Sequence, residues 1–166
     1  MQEQEQYFNS LVAQYSEPLY WHVRAMVGSH EDADDLLQEI FIKVWKALPG
    51  FRGDSDPFTW LWRIATNETI SHMRKARVRA ALSFSRLDEQ AARICDPDPA
   101  IDGDEALRKL RKAIAALPDK QRLVFTMRYW EDLSYEQISA ITGTSVGALK
   151  ASYHIAYEKI KAYLTD

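Results

Sequence analysis

The chain has 166 residues, 46% of them hydrophobic, with 21 Lys and Arg against 24 Asp and Glu for a net charge of −3. That length can hold one sizeable core or two small ones, and no run approaches the roughly 18 uncharged apolar residues that a membrane helix needs, so membrane insertion is not expected. The polar, acidic start (Met1-Gln-Glu-Gln-Glu-Gln) is unlike a secretory leader, and the one cysteine, Cys95, cannot form an internal disulfide, so a cytoplasmic setting is expected. His22, His30, His72 and His154 lack zinc-ligand spacing, and neither a metal nor a cofactor is expected.

Helical periodicity dominates the first half. Tyr7, Phe8, Leu11, Val12, Tyr15, Leu19, Val23 and Met26 mark a helix or a broken pair, with Pro18 as an irregularity. From Glu31 to Leu48, Ala33, Leu36, Leu37, Ile40, Phe41, Val44, Trp45 and Leu48 recur at steps of three and four and form one stripe. Acids open this segment and Lys43 and Lys46 lie near its end, both favourable to the helix dipole; Leu48-Pro-Gly then stops it. Phe51-Arg-Gly-Asp-Ser-Asp-Pro reads as a loop, with Asp56 as N-cap and Pro57 at the first position of a third helix running to about Ala80. Leu61, Ile64, Ala65 and Ile70 would face inward. Trp60 and Trp62 are about 200° apart around that helix, so one of the two is expected to be buried.

The composition then changes. Ser83 to Gly103 contains Asp96-Pro-Asp-Pro, lacks periodicity and reads as a linker. Trp60 to Arg86 holds six basic residues (Arg63, Arg74, Lys75, Arg77, Arg79, Arg86) against Glu68, or +5; Leu87 to Ala106 holds seven acids against Arg93, or −6. A basic block beside an acidic one suits local contact with nucleic acid without general stickiness, and equally suits two solvated faces. Charge alone does not choose between them. Beyond the linker, Leu107, Leu110, Ile114 and Leu117 form an amphipathic helix ended by Pro118; another spans about Asp119 to Trp130, and two shorter segments follow. Nothing alternates at period two. The expected fold is all-α: two small helical domains, residues 1–82 and 105–166, joined by a flexible acidic linker, 83–104.

The sharpest local signal is Leu133-Ser-Tyr-Glu-Gln-Ile-Ser-Ala-Ile-Thr-Gly-Thr-Ser-Val-Gly-Ala-Leu-Lys. Ser134 and Gln137 have capping-box spacing, Ser139 is small where helices cross, and Gly143 stands where the turn wants a positive φ. Ser145 caps a second helix whose inward side is Val146, Leu149, Tyr153, Ile160 and Leu164. This is helix-turn-helix spacing, in which the second helix enters the major groove. Its outward residues Gly147, Lys150, Ser152, His154 and Tyr157 make a modest cationic surface, so low affinity for DNA in isolation is expected. Against an enzyme, there is no Gly-rich phosphate loop, no paired Cys/His set and no nucleophile motif, and isolated His72 and Asp54 are better read as a helix-surface residue and a loop acid. A plain helix-turn-helix regulator would leave the Trp-rich segment and the acidic face of the second helix without a purpose.

Asp34-Asp-Leu-Leu-Gln-Glu-Ile-Phe-Ile-Lys-Val-Trp, Phe51-Arg-Gly-Asp-Ser with Thr59-Trp-Leu-Trp-Arg-Ile-Ala-Thr-Asn, and Leu117-Pro-Asp-Lys-Gln-Arg-Leu-Val-Phe with Leu133-Ser-Tyr-Glu-Gln-Ile resemble regions two and four of extracytoplasmic-function sigma factors, in order and over nearly the whole chain. The resemblance implies a factor that binds core RNA polymerase and promoter DNA, duplex and melted strand, with an anti-sigma protein as inhibitory partner and no small-molecule substrate. It implies polymerase docking through Asp35, Gln38 and Glu39. It implies minus-ten recognition and melting through Phe51, Trp60, Arg63, Asn67, His72, Arg74 and Lys75; exposed bases need aromatic stacking and polar groups for their edges. Minus-thirty-five recognition would fall to Ser145, Lys150, Ser152 and His154, with Arg128 on a phosphate. Many members carry several arginines across this last helix where the present chain has Ala151, Tyr153, Ile155 and Tyr157, which leaves the recognised sequence open.

Overall fold

The computed structural model describes residues 2–53, 56–82 and 104–166; the linker read at 83–103 lies outside them, as do loop positions 54 and 55. Among the described residues there are seven α-helices and no strand, as the periodicity implies. They are α1 (Gln2–Arg24), α2 (His30–Ala47), α3 (Pro57–Ala81), α4 (Glu105–Ala115), α5 (Asp119–Tyr129), α6 (Tyr135–Thr142) and α7 (Val146–Thr165), with a 3₁₀ turn at Leu48–Gly50 after α2. Side chains chosen for the task start the helices. Ser29 accepts from Asp32 N–H at 3.1 Å on α2, Asp56 from Phe58 N–H at 3.3 Å on α3, and Asp104 from Ala106 N–H at 3.0 Å on α4. Asp104, placed by composition in the linker, thus belongs to the start of α4.

One alternative left open by the sequence closes, and one expectation changes. Pro18 does not divide the first segment: α1 is one helix of 23 residues with Pro18 inside it. An interior proline costs a helix about 3 kcal/mol, but Leu11, Leu19 and Val23 on either side are at most 3% exposed. Each such burial contributes about 1.5–3 kcal/mol, so packing outweighs the break. At the other end α7 runs for 20 residues and is no short segment. Its inner face includes Ala156, whereas Leu164 is exposed near the terminus.

The stripes pack as their spacing requires. Ala33, Leu36, Ile40 and Val44 of α2 meet Leu19 and Val23 of α1 and Leu61 and Ala65 of α3 in one buried cluster. Trp45, the outer margin of the stripe, stays partly exposed with its ring 5.2 Å from that of Phe8. In the second half Ile114, Leu117, Phe125, Ala156 and Ile160 form a smaller cluster. Composition did not foreshadow the next feature. Leu123, Val124, Met127, Leu133, Ile138 and Ile141 of the second half are continuous with the core of the first. A polar tie reinforces the join, in which Arg77 near the end of α3 meets Asp119 at 2.5 Å and Asp119 also holds Arg122 at 3.2 Å. Arg122 is buried, and that burial pulls its pKa down while the Asp119 charge opposes the shift.

Ile40 is fully buried at the centre of the first cluster. Ile40→Ala is therefore expected to cost about 2–5 kcal/mol, lost transfer energy plus residual cavity, read as a lower urea midpoint at unchanged slope.

Candidate nucleic-acid interface

α2 presents its polar side away from the core. Asp35, Gln38 and Glu39 are exposed, opposite Leu36, Ile40 and Val44. At about 100° per residue they fall within one narrow sector, and Ile42, 54% exposed, falls in the same sector. Ile42 was missed because it sits in an apolar run; its phase with Asp35 and Gln38 was the available signal. Ile42 thus lies exposed among the acids and the amide of this face.

On α3 the tryptophans separate. Trp62 is 1% exposed, with the Phe58 ring at 4.2 Å and the Tyr15 ring at 5.8 Å. Trp60 is half-buried and lies 4.4 Å from the ring of Phe51 at an interplanar angle of 30°. The loop aromatic and the helix aromatic thus form one platform, fixed because Asp56 and Pro57 start α3 just before Trp60. By helical phase Trp60, Arg63, Asn67 and Arg74 make one row about 20 Å long at about 1.5 Å per residue; Arg63, Asn67 and Arg74 are exposed. Lys75 is exposed but turned off this row, and half-buried His72 lies on the far side. The structure brings four of the seven residues into one line with Phe51 beside it.

The helix-turn-helix is built from its caps. Ser134 N–H donates to Gln137 Oε1 at 2.9 Å and Gln137 N–H donates to Ser134 Oγ at 3.1 Å, closing the capping box of α6. Gly143 ends α6 at φ 77°, a conformation in which a Cβ would be strained. Ser145 accepts from Ala148 N–H at 3.2 Å, so its oxygen serves α7 first. Lys150 and His154, one turn apart, are exposed and share a face with Gly147 and Ala151. Ser152 is half-buried and about 200° from Lys150 around the helix, so the two cannot read one groove together.

Tyr135 escaped the sequence reading. Its ring has the Arg128 guanidinium at 5.1 Å and the Lys150 ammonium at 5.8 Å. Arg128 also donates to Leu133 C=O at 3.2 Å, which positions it rather than leaving it loose. Tyr153, stacked on Phe125 at 5.6 Å, has its phenol pKa raised chiefly by burial, so it stays protonated.

Where the halves meet, one carboxylate is shared. Glu131, just after α5, accepts from Trp62 Nε1–H at 2.9 Å, and its other oxygen lies 2.7 Å from His22 Nδ1. A carboxylate only accepts, so Nδ1 carries the proton; His22 Nε2 meets the Thr66 hydroxyl at 3.2 Å. Beside Glu131 opens a cavity of about 440 Å³ lined by Trp21, Arg24, Leu107, Arg111, Ile114 and Trp130, among others. Among the described residues no group of His, Cys, Asp and Glu could hold a metal, and no helix is long and apolar enough to cross a membrane.

The chain matches the family models for Sigma-70 region 2 over residues 11–79 and Sigma-70, region 4 over residues 107–160. It is 33% identical over 161 residues to the RNA polymerase sigma-H factor of Pseudomonas aeruginosa, covering 92% of this chain and 83% of that protein. It is 30% identical over 167 residues to the ECF RNA polymerase sigma factor SigW of Bacillus subtilis, covering 96% and 89%. Among solved structures, a sigma factor RpoE in complex with the anti-sigma factor NepR from Bartonella quintana superposes with TM-score 0.77 at 24% identity, covering 95% of this chain and 96% of that one. CnrH in complex with the cytosolic domain of CnrY superposes with TM-score 0.71 at 25% identity, covering 97% and 89%.

Ser134→Ala is expected to remove the capping box and cost about 0.5–2 kcal/mol, with the loss of amide protection concentrated in α6.

Proposed function

The chain belongs to the extracytoplasmic-function group of the sigma-70 family, and from that premise we propose how its two halves divide the work of promoter-directed transcription initiation. Residues 1–82 dock on core RNA polymerase and open the minus-ten element, residues 105–166 anchor the minus-thirty-five duplex, and 83–104 joins them. The chain is a binding subunit of the polymerase, acting in the cytoplasm. Its partners are the polymerase, promoter DNA and an inhibitory protein of the class bound to the two solved neighbours.

The observation that carries this reading is the row on α3. Phe51 and Trp60 supply a stacking surface worth about 1–3 kcal/mol per base. Arg63 and Asn67, one turn apart, supply donors and an acceptor for the edge of a base taken out of the duplex. Arg74 extends the row with positive charge for the backbone, and Lys75 adds charge to one side. On α7, Lys150 and His154 face outward for the major groove while Arg128 is steadied for a phosphate. Few cations on that helix mean few displaced counterions, so duplex anchoring depends on the polymerase holding the other half in place. On α2, Asp35, Gln38 and Glu39 form the polar dock.

Reversing charge at Asp35 and Glu39 together is expected to weaken binding of core polymerase in titration while circular dichroism stays unchanged; unchanged affinity would reject the dock. Asn67→Ala is expected to cost about 1–3 kcal/mol in reading of the melted strand, and Lys150→Ala to lower duplex affinity and its salt slope without affecting opening. Permanganate footprinting and transcription from a pre-opened template separate the two. Equal reading of that template's minus-ten sequence by wild type and Asn67→Ala would show Asn67 to be a surface asparagine only.

A further inference from the structure

The cavity of about 440 Å³ beside Glu131 falls in the range of about 300–1,000 Å³ that small-molecule sites span. None of the residues read above for polymerase or promoter lines it. Its walls are largely apolar. Leu107 and Ile114 come from α4, and Ala25 lies just past the end of α1. Trp21 and Trp130 complete the apolar lining, 38% and 45% exposed. Trp21 meets the Tyr20 ring at 79° and Trp130 meets the Tyr129 ring at 80°. Edge contacts of this kind leave each indole a face for another aromatic group.

The polar lining is unbalanced. It holds two guanidinium groups, Arg24 and Arg111. Arg24 is 8% exposed, and its Nη1 donates to Val27 C=O at 3.2 Å; Arg111 is half-buried. Among the described residues neither has a carboxylate within ion-pair distance. Glu131 lines the same cavity, but its oxygens are turned to His22 at 2.7 Å and to Trp62 at 2.9 Å. Thr126 donates its hydroxyl to Leu123 C=O at 3.1 Å. The dipole of α1 offsets about half an elementary charge at Arg24; no described carboxylate offsets the rest at contact. A charge left so in an apolar setting is costly, and an anion relieves it.

These residues discriminate among ligands. A cation meets two guanidinium groups. A neutral apolar body leaves both charges desolvated, and a small inorganic anion leaves the Trp, Leu and Ile surface wet. A multiply charged phosphate adds a desolvation cost that apolar walls do not offset. We propose that this cavity binds a small aromatic carboxylate, its oxygens held by Arg111 and Arg24 and its ring set against Trp21 and Trp130. A planar guanidinium fits a carboxylate through two parallel hydrogen bonds.

The test is calorimetric titration of the full chain with 2-naphthoate. Two controls accompany it: 2-naphthylmethylammonium, with a similar ring body and opposite charge, and acetate, the head group alone. Naphthoate is expected to bind saturably at one site, and neither control to bind up to about 1 mM. Arg111→Met keeps an aliphatic stem and removes the charge; it is expected to weaken naphthoate about tenfold, one charge-assisted hydrogen bond at about 1.4 kcal/mol per factor of ten. Ala25→Leu fills the cavity and is expected to abolish binding, with helical circular dichroism retained. Absence of naphthoate binding up to about 1 mM overturns the site. Equal binding of the ammonium overturns its anion selectivity, and equal binding of acetate overturns the aromatic part. Unchanged affinity in Arg111→Met or in a helical Ala25→Leu places naphthoate elsewhere and overturns the proposal. Should Ala25→Leu lose helicity, Arg111→Met decides.

Discussion

Trp60 and Trp62 stand two residues apart on a helix that advances about 100° per residue, and they cannot point the same way. Burying Trp62 against Phe58 and Tyr15 is worth on the order of 3–5 kcal/mol, more than any exposed polar contact can oppose. That burial sets the rotation of α3 about its axis. Everything on the opposite side follows: Trp60 turns out to meet Phe51, and Arg63, Asn67 and Arg74 line up behind it. A row made this way is rigid because it is the reverse of a packed face.

The C-terminal half uses a different device. Its helix α7 is positioned by local chemistry, with two serine caps, one capping-box glutamine and one glycine at φ 77°, so its geometry depends little on distant packing. What it lacks is charge. Lys150 is accompanied by His154 and small residues, and one cation near Tyr135, Arg128, is already tied to Leu133 C=O. Electrostatic attraction to duplex is correspondingly small, which fits a module that contributes position and specificity once tethered and contributes little alone.

Between the halves lies an interface that mixes both kinds of energy. Leu123, Met127, Ile138 and Ile141 continue the apolar core of the first half, which favours closure without direction. Glu131 adds direction, since its two oxygens fit two donors at 2.7 and 2.9 Å and tolerate little slippage. The cavity beside Glu131 has Trp21 and Trp130 in its lining.

The helices and their limits were legible from periodicity and from capping residues, because both arise within a turn or two of chain. Asp56-Pro57, the Ser134–Gln137 box and Gly143 act on their immediate neighbours, and the structure places them as their spacing implies. The row on α3 was legible as a set of residue types, and helical phase alone sets His72 and Lys75 apart from it; which side of α3 faces outward was decided by the burial of Trp62. Pro18 left one helix and a broken pair both open, because a local break of about 3 kcal/mol competes with burial that only the assembled core supplies. His22 stood out in the sequence only by lacking zinc-ligand spacing, and nothing there singled out Glu131. They are 109 residues apart, and no local pattern encodes a pairing of that range. Tertiary structure alone decided which tryptophan is buried and which carboxylate joins the halves, because both depend on surfaces that exist only after distant helices have met.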